Sequence, residues 1–237
     1  MLLGNLWTTF VQHALNRRAA TLCNVKLVSI NIGQREILES ALYKKPTGIQ
    51  KRAVPSAAVS SAGVASDYVA DQKHHGGPDQ AVYVYTVPDY DWWTADLETP
   101  IAPGTFGENL TVSGIESATL CVGDRLQIGA LLLEVTAPRF PCNTLAARMV
   151  DPQFIKRFVA AERPGAYCRV IAPATVTAGD PVTLERSGFD VTLIELYKGR
   201  YDHVKLQQSQ LERLLAAPIA VRMRVEFAAR LEQLRAG

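Results

Sequence analysis

Cysteine is scarce in this chain, and none of it is paired in sequence. Cys23, Cys121, Cys142 and Cys168 stand far apart, with no C-x-x-C unit among them. A secreted disulfide scaffold needs a denser set, and a four-cysteine zinc site or an iron–sulfur cluster needs close pairs. Free thiols in a reducing cytoplasm are the expectation. The G-x-x-x-x-G-K-[ST] run of a P-loop is missing, and no G-x-G-x-x-G follows a strand-like segment. Nucleotide hydrolysis and dinucleotide binding therefore lack their phosphate cradles. No apolar run approaches the roughly 20 residues that span a bilayer. Net charge is only +2 over 237 residues, so no overall field argues for nucleic acid or a membrane as partner. Acids are missing from the start, where the first carboxylate is Glu36. Residues 1–24 are expected to be an N-terminal extension, with Leu6, Phe10 and Ala14 at helical spacing. Gln12, His13 and Asn16 break the unbroken apolar run a secretory signal needs, and a weak organelle-targeting segment is the rival reading.

What is present is a succession of short strand-like segments. VKLVSINIG (25–33) alternates apolar and polar residues, and AVYVYTV (81–87) and ALLLEVTA (130–137) are rich in branched or aromatic residues. DRLQIG (124–129) follows a turn at Gly123-Asp124, and residues 169–186 read as two strands around Gly179-Asp180. Many short strands between Gly and Pro loops predict a mainly β architecture, a barrel or sandwich over residues 25–187. After Ser187 the period becomes helical. Thr192 and Glu195 have capping-box spacing, and Gly199 is the expected stop. Asp202 is the expected cap of a second helix through Leu206, Leu211, Leu214 and Leu215. Pro218 opens a third, with Val221, Val225, Ala228 and Leu231 on one face. Residues 188–237 thus read as a small three-helix domain.

Four segments carry candidate chemistry. In APRFPCNTL (137–145), Cys142 follows Pro141, with Pro138 and Arg139 just upstream. Two prolines restrict the loop, and a guanidinium nearby stabilises a thiolate. Such a thiolate can be a nucleophile activated by His75, or a metal ligand, whereas most lone cysteines are small buried residues. KHHGGPDQA (73–81) sets imidazoles beside two glycines. It reads either as a turn or, with Asp71, His74, His75 and Asp79, as a metal site. PGTFGENL (103–110) offers Glu108 and Asn109 after Gly107, a solvated turn or an acid–amide pair. KKPTGIQKR (44–52) carries Lys44, Lys45, Lys51 and Arg52 around a turn, a solvated surface or an anion-binding loop.

Taken in order, the basic turn, HGGPD, GTFGENL, GD, PRFPC-x-x-L and GD-x-V-x-L strongly resemble the MOSC domain family, named after the C-terminal domain of molybdenum cofactor sulfurases. Within it, the chain looks like the YiiM-like subgroup, associated with resistance to N-hydroxylated purines and carrying a small helical C-terminal domain. The resemblance runs from about Val25 to Ser187. It implies a MOSC-type β-barrel that binds the pyranopterin molybdenum cofactor, rather than pyridoxal phosphate, with Cys142 as the molybdenum ligand. Lys45, Arg52, His75, Gly76, Gly77, Asn109 and Arg139 become candidate cofactor contacts, and His75 or Glu108 the proton donor. The implied reaction is a two-electron reduction of an N-hydroxylated compound to the amine. A separate flavin or iron–sulfur protein is then needed as electron donor. The helical tail is the expected place for that partner, for homodimer contacts, or simply for a cap on the barrel. The rival functions are a carrier of cofactor or sulfur using Cys142 as a persulfide, a metal-free Cys142/His75 hydrolase or transferase, and a barrel without chemistry.

Overall fold

The computed structural model describes residues 25–40, 43–201 and 206–236. The expected N-terminal helix, Cys23 and the Asp202 cap lie outside those residues. In chain order the strands are β1 (Leu27–Gly33), β2 (Glu36–Ser40), β3 (Tyr43–Thr47), β4 (Lys51–Val54), β5 (Ser56–Ser60) and β6 (Gly63–Val64). Then come β7 (Val82–Thr86), β8 (Leu110–Val112), β9 (Arg125–Ile128), β10 (Leu131–Pro138), β11 (Ala166–Ala172), β12 (Ala174–Thr177) and β13 (Val182–Glu185). The helices are α1 (Gln72–His75), α2 (Val87–Leu97), α3 (Asn143–Arg148), α4 (Phe154–Ala161), α5 (Leu193–Tyr201), α6 (Gln208–Ala216) and α7 (Val221–Ala236).

Eight strands form one sheet in the order β13-β9-β10-β11-β7-β8-β1-β4, antiparallel except where β7 lies parallel to β8. The sheet closes on itself. Leu27 N–H donates to the Asp180 carbonyl and Val182 N–H to the Val25 carbonyl, both at 2.9 Å, around a Lys26–Pro181 bridge. These seam bonds pair the start of β1 with the start of β13, while β4 ends the strand order on the other side. Leu27, Ile30, Val82, Leu110, Leu126 and Leu133 are completely buried in the core. Residues 169–186 make three strands rather than two. Pro173 has no N–H to give a ladder, so β11 ends beside it and β12 crosses to a second sheet with β5 and β6.

Thr86 caps α2 by accepting from Asp89 N–H, and Pro88 occupies the first turn. This helix buries Trp93, whose ring lies 5.1–5.9 Å from Phe106, Phe154 and Phe158. Trp93 also donates to Tyr85 Oη at 2.8 Å. The aromatic cluster fixes the 103–108 loop and α4 against β7.

Three helices follow β13, with differences in detail from the sequence pattern. Thr192 accepts from Glu195 N–H at 3.1 Å, but the Glu195 carboxylate pairs with Arg213, so that capping box is half made. The first helix runs through Gly199, because position 199 is buried and packed against Leu206. The second begins at Gln208, after a Gln207 cap exchanged with Gln210. In α7 the buried stripe is Met223, Phe227 and Leu231, whereas Val221 and Val225 are 63% and 66% exposed. Both stripes have helical spacing, and the docking of Ile219 and Ala220 onto the barrel selects the other one.

Candidate functional site

A cleft of about 530 Å³ opens where the basic turn, the segment 67–71 and the loop after β10 converge. Its floor requires glycine. A Cβ on Gly48 would stand 1.8 Å from the Tyr68 carbonyl oxygen, and one on Gly33 would stand 2.0 Å from the Gly48 carbonyl oxygen. Three backbone segments therefore meet at a distance no side chain permits.

Cys142 faces this cleft. The β10–β11 pairing shifts register between Val135 and Ala137, which re-aims the end of β10 before Arg139. Pro141 and the extended backbone of Cys142 (φ −135°, ψ 167°) then lead into α3. The Cys142 carbonyl accepts from Leu145 and Ala146 at 3.0 and 3.2 Å, anchoring the loop to the first helical turn. Burial would push the thiol up. A hydrogen bond from His75, the Arg139 charge and the Leu145 N–H outweigh burial and hold it down at about 6.

His75 arrives at the end of a single helical turn rather than an extended segment. Asp71 caps α1 by accepting from His74 N–H at 3.1 Å, and its carboxylate holds the His74 ring at 2.8 Å. The two imidazoles therefore separate, with His74 at the surface and His75 Nδ1 3.1 Å from Tyr167 Oη. The four-residue metal reading fails on this geometry. Asp71 is spent on the helix, and Asp79 binds Arg169 at 3.0 Å and Val221 N–H at 2.7 Å. No cluster of three His, Cys, Asp or Glu able to hold a metal ion exists among the described residues.

Arg139 is 4% exposed and lies 5.2 Å over the Tyr83 ring. Burial opposes its charge, but the Tyr83, Tyr167 and Cys142 groups around it more than offset that and keep the guanidinium ionised. Opposite stands Lys51, whose ammonium meets Asp67 with both side chains almost fully buried. Burial lowers the Lys51 pKa despite that carboxylate. Asp67 also accepts from Gly33 N–H at 2.7 Å and Asn109 Nδ2 at 2.8 Å. Asn109 Oδ1 accepts from Tyr83 N–H at 3.2 Å, so this amide ties β7 to Asp67 in the wall.

The MOSC domain model matches residues 71–183, the stretch that carries His75, Asn109, Arg139 and Cys142. The Escherichia coli protein YiiM is 32% identical over 178 residues, covering 73% of this chain and 79% of YiiM. The chain belongs to the MOSC domain family. Among solved structures, YiiM from Geobacillus stearothermophilus superposes with a TM-score of 0.72 at 25% identity, over 88% of this chain and all of that one. A Gibberella moniliformis protein named Reductase is 35% identical over 131 residues, which are 53% of this chain but only 23% of that longer protein.

MOSC domains are associated with the molybdenum cofactor, and the cleft has features that fit so anionic a group. Arg139 Nη1 is buried without a hydrogen-bond partner in the wall that also presents Cys142. An unpartnered guanidinium nitrogen in such a place suits an acceptor oxygen from outside the chain. Lys45 stands at the rim of the same cleft.

Three expectations for the MOSC site need correction. Arg52 lies outside the cleft and pairs with Glu36 at 2.5 Å, because consecutive residues of β4 face opposite ways and Lys51 takes the inward position. Gly76 and Gly77 do not line the wall; they shape the end of α1, with Gly77 at φ +95°. Glu108 is sealed behind the wall and completely buried. Its Oε1 accepts from Tyr90 Oη and Gly104 N–H, both at 2.6 Å, and from Thr111 Oγ1 at 2.8 Å. Sequence reasoning missed Tyr167 and Asp67 as wall residues, and named Lys51 only as one of four cations in the basic turn. Alternation along KRAV is the one signal that separates Lys51 from Arg52.

Proposed function

We propose that this MOSC protein is a molybdenum-cofactor-dependent reductase of N-hydroxylated compounds, purines among them, and that Cys142 Sγ is its metal ligand. The observation that carries the reading is the pairing of a depressed-pKa thiol with a buried, partly unpartnered guanidinium in one cleft. When bound, the cofactor supplies the two-electron reduction in which N–OH becomes N–H and water leaves, with two protons taken up. Arg139 and Lys45 would receive its anionic groups, while Lys51 is taken up by its pair with Asp67. His75 holds a proton at the half-buried mouth, its ring orientation fixed by Tyr167, and delivers it to the departing oxygen. Glu108 is completely buried and does not line the cleft, which supports His75 over Glu108 as the proton donor. Electrons come from a separate protein carrying a flavin or iron–sulfur centre. The fungal relative's name supports the reductase class, and the thiol geometry supports the ligand assignment.

The test is elemental analysis for molybdenum in wild-type protein and Cys142→Ser, both from a host that makes the cofactor. The same samples are assayed for hydroxylaminopurine reduction with a viologen donor. Near-stoichiometric molybdenum and turnover in wild type, both lost in the variant, are the expected result. Molybdenum without turnover would favour a cofactor or sulfur carrier with Cys142 as a persulfide. Protein without molybdenum would return Cys142 and His75 to metal-free nucleophilic chemistry.

A further inference from the structure

The two segments that bring Cys142 and His75 together are each gripped by the helical tail. On the cysteine side, the Phe140 ring stacks on Tyr197 of α5, with centroids 5.4 Å apart and planes 10° from parallel. The Arg200 guanidinium covers Phe140 at 4.3 Å. On the histidine side, α7 meets the 73–80 segment through its first turn. Arg222 Nη1 donates to the His74 carbonyl at 2.7 Å and to Gln80 Oε1 at 3.2 Å, while Nη2 donates to the Lys73 carbonyl. Val221 N–H donates to Asp79 Oδ2 at 2.7 Å.

The Arg222 contact is chemically pointed. The carbonyls at the end of a helix have no N–H donor further along the chain, and α1 is only one turn long. A single turn is too short to hold itself in water. The guanidinium takes two of its orphan carbonyls at once and adds a cation where the peptide dipoles leave partial negative charge. Arg222 thus fixes the turn whose last residue is His75, from an element almost 150 residues away.

We propose that Arg222 is a positioning residue: by capping α1 from the tail, it holds His75 against Cys142, so that α5 and α7 form the outer shell of the reactive pair. The tail is then more than a cover for barrel surface. It holds the turn that carries His75 through the Lys73 and His74 carbonyls.

The test uses the full chain from a host that does not make the molybdenum cofactor, so Cys142 is free to react. Arg222→Met, Arg222→Lys and Val225→Ser are compared with wild type. Two quantities are read: hydrogen exchange of the peptide spanning 72–77, and the rate of iodoacetamide alkylation of Cys142 at neutral pH, followed by peptide mapping. In Arg222→Met, exchange should rise by about tenfold, as local opening of a single turn becomes easy. Alkylation should slow by roughly threefold or more, as the His75 contact is lost. Arg222→Lys should fall between, millimolar guanidinium should restore part of the Met variant's rate, and Val225→Ser should match wild type. Unchanged exchange and alkylation in Arg222→Met would overturn the proposal, as would an equal change in Val225→Ser. If the Met variant does not fold, the Lys variant decides on the same two readings. No cofactor enters the experiment, so its outcome is independent of whether the protein proves to be a reductase.

Discussion

Cys142 is subject to opposing influences, and their balance can be measured. Burial favours the neutral thiol; His75, Arg139 and the Leu145 amide favour the thiolate and prevail, leaving the pKa near 6. In cofactor-free protein, alkylation of Cys142 should therefore rise as pH passes about 6, where an ordinary thiol would wait for about 8.5. His75→Asn should move that midpoint upward by a unit or more, read from the pH dependence of the alkylation rate. The same shift makes a stability statement. A thiol with a depressed folded-state pKa contributes stability that is fully present above its unfolded value and is lost as pH falls through 6. Glu108 illustrates the opposite use of an acid. Burial raises its pKa, yet Tyr90 Oη, Gly104 N–H, Thr111 Oγ1 and, at 3.5 Å, Asn31 Nδ2 all donate to Oε1. Glu108→Ala would strand Tyr90 Oη, Gly104 N–H and Thr111 Oγ1, and should cost about 3 kcal/mol or more in chemical denaturation. Glu108→Gln keeps the accepting oxygen and should cost clearly less. Were Glu108 the proton donor, the Gln variant would instead keep its stability and lose turnover.

At the scale of elements, α7 offers the clearest contrast. Phe227 is fully buried and Val225 two-thirds exposed, two residues apart on one helix. Phe227→Ala should destabilise by about 3–5 kcal/mol and Val225→Ala by less than about 0.5 kcal/mol, measured by denaturant melts. This helix also marks where sequence reading stops. The 3.6-residue period fits Val221, Val225 and Ala228 as well as Met223, Phe227 and Leu231, and only the surface it docks on decides. Strands were more legible, since β1, β7, β9 and β10 fall within a residue or two of the segments that alternation, branched or aromatic content and the Gly123-Asp124 turn announce. Residue types in APRFPCNTL were enough to single out Cys142. Lys51 against Arg52 needed strand register, and Glu108 needed knowledge of the aromatic cluster that seals it. Local pattern reports what a residue can do; burial and facing come from distant segments.

At the scale of the molecule, the seam between residues 25–27 and 179–182 has a consequence for how the chain is made. During synthesis β1 emerges first, pairs with β4 within about thirty residues, and then has its remaining edge waiting for β8 and finally for the turn at Gly179. The barrel cannot shut until some 150 further residues have left the ribosome, on the order of ten seconds or more at typical elongation rates. Through that interval the apolar residues of β1 and β7 have no complete enclosure, and the Cys142 loop has no Tyr197 to lean on. Vectorial synthesis thus gives this protein a long window of exposure to chaperones. It also delays assembly of the Cys142 loop until the helix carrying Tyr197 exists.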